Sequence, residues 1–202
     1  MNNLLKTYNF SNFEIVKGNG SYLYTADNKK LLDFSAGVAV NSLGYNHAVV
    51  KKTIQKQLKT GITHLSGSQI HLYKNKLSQL LSKESNKGDV FFSNSGAESI
   101  EAALKIARNF GSDKGRDEII AMTSSFHGRT IGALSVGSNK AYKTDIGPVP
   151  GKVKFCKFND SKNLKQLINK KTLAIIIEFI QGDGGINICS RDFAKTIKDI
   201  CK

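Results

Sequence analysis

Val90-Phe91-Phe92-Ser93-Asn94-Ser95-Gly96-Ala97-Glu98 is the stretch on which the fold turns. Three apolar residues read as a short buried strand, and a Ser/Asn/Gly turn follows them. Ile100, Ala103, Leu104 and Ala107 then recur at the spacing of one helical face, so the turn opens a helix. Downstream the same rhythm returns. Glu118 to Met122, Val153 to Phe158 and Leu173 to Ile180 are further short apolar runs. Between them lie helical candidates at Thr130 to Val136 and Ser161 to Asn169, and a last helix runs from Arg191 towards Cys201. Short buried strands alternating with helices predict an α/β fold, a mostly parallel sheet with helices on both faces. Four strands are expected, and the last helix should lead into another, so the sheet reads as incomplete.

Upstream the pattern differs. Phe13 to Lys17, a Gly18-Asn19-Gly20 turn, Tyr22 to Thr25 and Lys30 to Phe34 about Asp27-Asn28 predict a small antiparallel β-meander. Val49, Val50, Ile54 and Leu58 then lie at helical spacing between His47 and Thr60, as do Leu72, Leu77, Leu80 and Leu81 in the next segment. Two parts are expected: 1–45, the meander, and 46–202, the α/β part.

Composition excludes several classes. The 202 residues are 40% hydrophobic and 23% charged, ordinary for a globular protein. No apolar run approaches the ~20 residues that span a bilayer. Met1 to Phe10 has no apolar segment of the secretory kind, so the expected location is the cytoplasm. Cys156, Cys189 and Cys201 have no metal-ligand spacing, and neither a zinc site nor a disulfide framework is expected. The net charge of +14 raises the question of nucleic acid, but only four of the 30 basic residues are Arg. The lysines are scattered and have no aromatics interleaved as a stacking platform, so no nucleic-acid partner is expected.

Three strand ends carry chemistry. Asn94 to Glu98 opens a helix, where free N–H groups and the positive end of the macrodipole form an anion site. Ser95 adds a hydroxyl, and Gly96 lets a ligand approach the backbone. The same residues can be a plain capping box, Ser95 with Glu98. Ser125-Phe126-His127-Gly128-Arg129-Thr130 follows the Glu118 strand, with a flat face in Phe126 and a bidentate fork in Arg129. Glu178 to Gly185 leaves the most apolar run with a carboxylate, an amide and glycines. In an open α/β sheet the ligand crevice lies at the carboxyl ends of the strands. An anion cradle, an aromatic plane with a guanidinium and a carboxylate together point to a phosphorylated aromatic cofactor and an anionic substrate.

These residues resemble the class III, ornithine-type aminotransferases, which depend on pyridoxal 5'-phosphate, and most closely the acetylornithine branch. The resemblance rests on Leu32 to Asn41 with Leu43-Gly44-Tyr45-Asn46-His47, on Phe92 to Glu98 with Glu101 to Arg108, on Phe126 to Thr130 with Gly132 to Ser135, and on Glu178 with Ile180-Gln181-Gly182. Its order and spacing run through almost the whole chain. It implies the fold type I architecture, with 1–45 belonging to a small domain and 46–202 to an incomplete large cofactor-binding domain.

By the resemblance, Ser95, Gly96 and Ala97 hold the cofactor phosphate, Phe126 stacks on the pyridine ring, and His127 and Glu178 also lie at the cofactor. Arg129 grips the substrate α-carboxylate, Asp183 belongs to substrate handling, and Val38 to Asn41 fall near the substrate entrance. No metal is implied. The implied reaction is amino transfer from N-acetylornithine to 2-oxoglutarate by a homodimer. Ornithine, 4-aminobutyrate and succinyl-diaminopimelate enzymes share the quoted motifs. The family's Schiff-base Lys and the Asp for the pyridine nitrogen match no position here; in family order both would follow Lys202. This stretch therefore holds no catalytic lysine and is expected to be inactive alone, whether as half of an enzyme or as a non-catalytic remnant. Phe179 stands where the family usually has Pro, and Asp183 where it usually has Glu.

Overall fold

A computed structural model describes residues 4–5, 7, 9–85, 87–144 and 146–202. Met1 to Phe10, read above for a signal segment, lies partly outside the described residues. The chain packs as two units, Met1–Leu80 and Leu81–Lys202.

The first unit opens with the meander, β1 (Ile15–Asn19), β2 (Tyr22–Thr25) and β3 (Lys30–Leu32), paired antiparallel in that order. Asn19 pairs with Tyr22, so the first turn is the two residues Gly20-Ser21 rather than Gly18 to Gly20. Gly20 takes φ +55°, which a two-residue hairpin of this hand requires. Beyond the meander, Tyr45 forms an isolated antiparallel bridge with Gly20, exchanging backbone hydrogen bonds at 2.8 and 2.9 Å. The Tyr45 hydroxyl donates to Asp33, holding that carboxyl below its usual pKa. Helix α1 (Ala48–Leu58) and helix α2 (Leu72–Glu84) fall where the apolar spacing predicts them, with no residue of either buried. α2 runs across the boundary between the units.

The second unit is the α/β part. Its elements are α3 (Gly96–Ser112), β4 (Glu118–Met122), α4 (Ile131–Val136), β5 (Lys152–Cys156), α5 (Ser161–Leu167), β6 (Thr172–Ile175), β7 (Ile180–Gln181), β8 (Asn187–Ile188) and α6 (Arg191–Ile200). β4 lies between β5 and β6, parallel to both. Alternation along β4 divides the core. Ile119 and Ala121 pack with Leu104 and Val136 from α3 and α4. Ile120 and Met122 pack with Leu164 and Phe193 from α5 and α6 on the other face. Helices on both faces follow directly from a strand that is apolar on both sides.

The sheet has three strands among the described residues, one fewer than expected. Val90 to Phe92 forms no ladder, because no described strand lies beside it, and Phe91 is left 71% exposed. The run Leu173 to Ile180 also breaks. Ladder pairing stops at Ile175, with one more bond from Ile176 N–H to Ile120 C=O, although β4 itself continues to Met122 beside β5. Glu178 therefore stands beyond a strand rather than on its end. Among the described residues no helix is long and apolar enough to cross a membrane.

Candidate functional site

Ser95 caps α3: its hydroxyl accepts from Glu98 N–H at 3.2 Å, while Glu98 accepts from Asn94 N–H at 2.7 Å. This is the capping box, and it satisfies the donors of residues 94 and 98. Gly96 and Ala97 occupy the first turn, where N–H groups have no partner within a helix. Gly96 has no need to be glycine on internal grounds. It does not adopt a positive φ, and a Cβ built on it would meet nothing within 4 Å.

Gly128 is the opposite case. Its φ of +130° favours glycine, and a Cβ would stand 2.8 Å from Ala97 Cβ and 3.0 Å from Ala97 Cα. The Ser125 to Thr130 loop thus lies directly on the start of α3. Glu101, one turn along α3, fastens the same loop. Its Oε1 accepts from the Thr130 hydroxyl at 2.6 Å, Gly132 N–H at 2.8 Å and Ala133 N–H at 3.1 Å. A carboxylate of α3 caps α4, and the Thr130 hydroxyl above all holds its pKa below the usual value.

The third motif joins from the other side. Glu178 accepts from Phe126 N–H at 3.0 Å. Gln181, fully buried, donates from Nε2 to Thr123 C=O at 2.7 Å and leaves Oε1 without a partner among the described residues. Gly184 passes so close to Ser124 C=O that a side chain would collide with it. The three stretches singled out in the sequence therefore meet at one end of the sheet.

At this end of the sheet His127 is 7% exposed, and its Nε2 has no hydrogen-bond partner among the described residues. Burial lowers its pKa, favouring the neutral imidazole. A buried, unpaired ring nitrogen costs about 1–3 kcal/mol and is normally matched by a water or a ligand atom. Phe126 is 37% exposed and presents its ring beside that of Tyr142, at 6.0 Å edge to face. The Arg129 guanidinium lies 3.7 Å from the Tyr142 ring centroid and 5.7 Å from that of Phe126. Asp183 is exposed in the turn joining β7 to β8, and no hydrogen bond or ion pair connects it to the other site residues among the described residues. Val38 to Asn41 belong to the first unit, where Val38 (φ +57°) and Ala39 (φ +65°) form a left-handed turn closed by Asn41 N–H on Ala36 C=O.

Tyr142 and Glu101 were not singled out for the site from the sequence; Gln181 was read there as the amide of the third stretch, with no partner assigned to it. Glu101 and Gln181 lie within quoted motifs, but nothing in a spacing pattern assigns them these partners.

The profile of the aminotransferase class-III family matches residues 6–202. The chain belongs to the class-III aminotransferases. It is 41% identical over 201 residues to the acetylornithine aminotransferase of Clostridium acetobutylicum, covering 98% of this chain and 52% of that protein. It is 42% identical to the mitochondrial acetylornithine aminotransferase of Debaryomyces hansenii, covering 96% and 44%. With the acetylornithine/succinyldiaminopimelate aminotransferase of Buchnera aphidicola from Acyrthosiphon pisum the figures are 38%, 98% and 49%. The chain spans about half the length of these relatives. Among solved structures, the ornithine aminotransferase of Toxoplasma gondii superposes with a TM-score of 0.89 at 24% identity, over 98% of this chain and 48% of that one. A PLP-bound amine transaminase from an uncultivated Pseudomonas species gives 0.88 at 23% identity, over 99% and 54%. At such identities the likeness is one of fold, and the fold is that of the transaminases.

Proposed function

We propose that the protein containing this chain is a pyridoxal-phosphate-dependent aminotransferase acting on N-acetylornithine with 2-oxoglutarate as amino acceptor, as a homodimer. The observation that carries this reading is Gly96: a glycine at a helix N-terminus that neither its own φ nor its neighbours require. A Cβ there would fill the space in which a phosphate oxygen meets the Gly96 and Ala97 N–H groups. The unpaired Nε2 of His127, next to the Gly128 that lies against Ala97, is a second polar group suited to a ligand. The residues present fit the cofactor.

Ser95, Gly96 and Ala97 would hold its phosphate, Phe126 would cover one face of its ring, and His127 and Glu178 would face it from the loop side. When bound, the cofactor supplies an electron sink for the pair left as a proton leaves the substrate carbon. Arg129 would bind and orient the substrate α-carboxylate through its planar fork. Phe126 and the buried stretch behind it would exclude water from one side of the reacting carbon. Asp183 would act on substrate choice from the β7–β8 turn. Residues 1–45 would belong to a small domain and 46–202 to the large one.

The test uses the full-length protein. Adding pyridoxal phosphate should raise a visible absorption band, and N-acetylornithine should be turned over with a higher kcat/KM than ornithine, 4-aminobutyrate or succinyl-diaminopimelate. A protein that gains no band and is not stabilised by the cofactor overturns the reading. A different amine in first place moves it to that branch of the family.

A further inference from the structure

Arg129 lies over the face of an aromatic ring instead of beside an acid. Its guanidinium carbon is 3.7 Å from the Tyr142 ring centroid, and no ion pair takes its fork among the described residues. The difference matters chemically. A carboxylate partner would occupy the in-plane N–H donors, whereas a ring under the guanidinium fixes its plane and leaves all of them free. The aromatic also removes water from one face without neutralising the charge.

Tyr142 is itself held in place. It ends the 3-10 turn Lys140–Tyr142, whose start is capped by Asn139, with Ala141 N–H donating to Asn139 Oδ1 at 3.0 Å. Just before it, Ser138 and Ser125 are joined twice: Ser125 N–H donates to Ser138 Oγ at 3.1 Å, and Ser138 N–H donates to Ser125 C=O at 3.2 Å. Just after it, half-buried Lys143 donates from Nζ to Ser135 C=O at 3.3 Å, with the Phe155 ring 5.1 Å away. The turn is thus fastened to the strand-end loop on one side and to the end of α4 on the other. Phe126 meets the Tyr142 ring at an interplanar angle of 83°, so its edge packs against the same aromatic that bears Arg129.

We infer that Tyr142 is the positioning residue of the substrate-carboxylate site: its ring sets the plane of the Arg129 guanidinium, and the turn Lys140–Tyr142 is the platform of that site. The inference rests on the reading of Arg129 given above and adds to it a residue outside the shared motifs. The phenolic hydroxyl has no part in it; the ring face does the work.

The test uses full-length holoenzyme with four forms: parent, Tyr142→Leu, Tyr142→Phe and Arg129→Gln. Binding of glutarate, a dicarboxylate that cannot be transaminated, is measured by calorimetry. In parallel, kcat and KM are measured for the amino-acid donor and for a simple monoamine with no carboxylate. Tyr142→Leu should weaken glutarate and raise KM for the amino acid about two- to thirty-fold, the range of a guanidinium–aromatic contact. It should leave KM for the monoamine and the melting temperature near those of the parent. Tyr142→Phe should bind glutarate like the parent. Unchanged glutarate binding in Tyr142→Leu, or a Tyr142→Phe loss as large as that of Tyr142→Leu, overturns the inference. So does an equal loss for both donors, which would make Tyr142 a general structural residue. Arg129→Gln separates the two claims. If it leaves glutarate binding intact, the assignment of Arg129 fails; if it abolishes binding while Tyr142→Leu does not, only the positioning role fails.

Discussion

Gly96→Ala should make the protein more stable without its cofactor and less stable with it. The free protein has no use for glycine at this position: its φ is one that alanine adopts, and a methyl would meet nothing within 4 Å. Replacing such a glycine removes unfolded-state freedom and stabilises by about 0.4–1 kcal/mol. With ligand the account reverses. A methyl at the start of α3 lies in the approach path to the Gly96 and Ala97 N–H groups, and losing one hydrogen bond to a charged oxygen costs about 1.5–3 kcal/mol. That is at least about tenfold in affinity. At a free ligand concentration of 100 times the parent Kd, binding adds about 2.7 kcal/mol to the parent. After a tenfold loss it adds about 1.4 kcal/mol, a difference of about 1.3. Set against the gain of 0.4–1, the variant should be about 0.3–0.9 kcal/mol less stable than the parent when loaded. The assay is thermal melting of both proteins with and without pyridoxal phosphate, and the signature is a crossing of the order of melting temperatures. A variant stabilised by the cofactor as much as the parent refutes the cradle. A free variant that melts below the parent shows instead that the glycine serves the fold.

The other expectations concern the bonds that bring the site together. Gly128→Ala should destabilise by about 2–4 kcal/mol, combining left-handed strain with a Cβ 2.8 Å from Ala97. Gly115→Ala, at φ +63° with nothing within 4 Å, isolates the strain and should cost only about 1 kcal/mol in the same urea titration. Equal costs would mean the close approach of loop to helix is not tight. Glu101 is held below its usual pKa of 4.5, chiefly by the Thr130 hydroxyl, so it binds its proton less readily folded than unfolded. Its contribution should be complete above pH 4.5 and lost as pH falls below it, and the pH dependence of the urea midpoint should flatten in Glu101→Gln. A slope unchanged in the variant would assign the acid sensitivity to other carboxylates. Burial lowers the His127 pKa from the usual 6.5, so the neutral ring is the folded form. Stability from this group should be intact above pH 6.5 and decline as pH falls through the lowered pKa, which an NMR titration of the imidazole reads directly. An imidazole titrating at or above 6.5 in the cofactor-free protein would show that it is not buried as described.

The fold was legible where each residue's partner is set by a period, and opaque where the partner lies far along the chain. β4 is the clear case. Ile119 and Ala121 face one cluster and Ile120 and Met122 the other, so a run apolar at every position had to be a strand covered on both sides. Val90 to Phe92 is equally apolar yet forms no ladder, because a strand is a relation between two segments and composition states only one side of it. β7 and β8 are two residues each, too short to show any alternation. Within the candidate site, Ser95 to Ala97, Phe126 and Arg129 could be proposed from strand ends and from side-chain types that suit a phosphate, a ring and a carboxylate. The residues that hold them could not. Glu178 reaches Phe126 across a separation of 52 positions, and Glu101 reaches Thr130 across 29. Such bonds have no spacing rule; they exist only once the sheet has brought its strand ends together. Tyr142 extends the point, since a tyrosine in a short loop has no pattern of its own and becomes informative only with a guanidinium lying on it. Ligand-facing groups announce themselves by chemistry, which is local. Their supports act through geometry, which is not, and it is among the supports that a structure adds residues to a site already suspected.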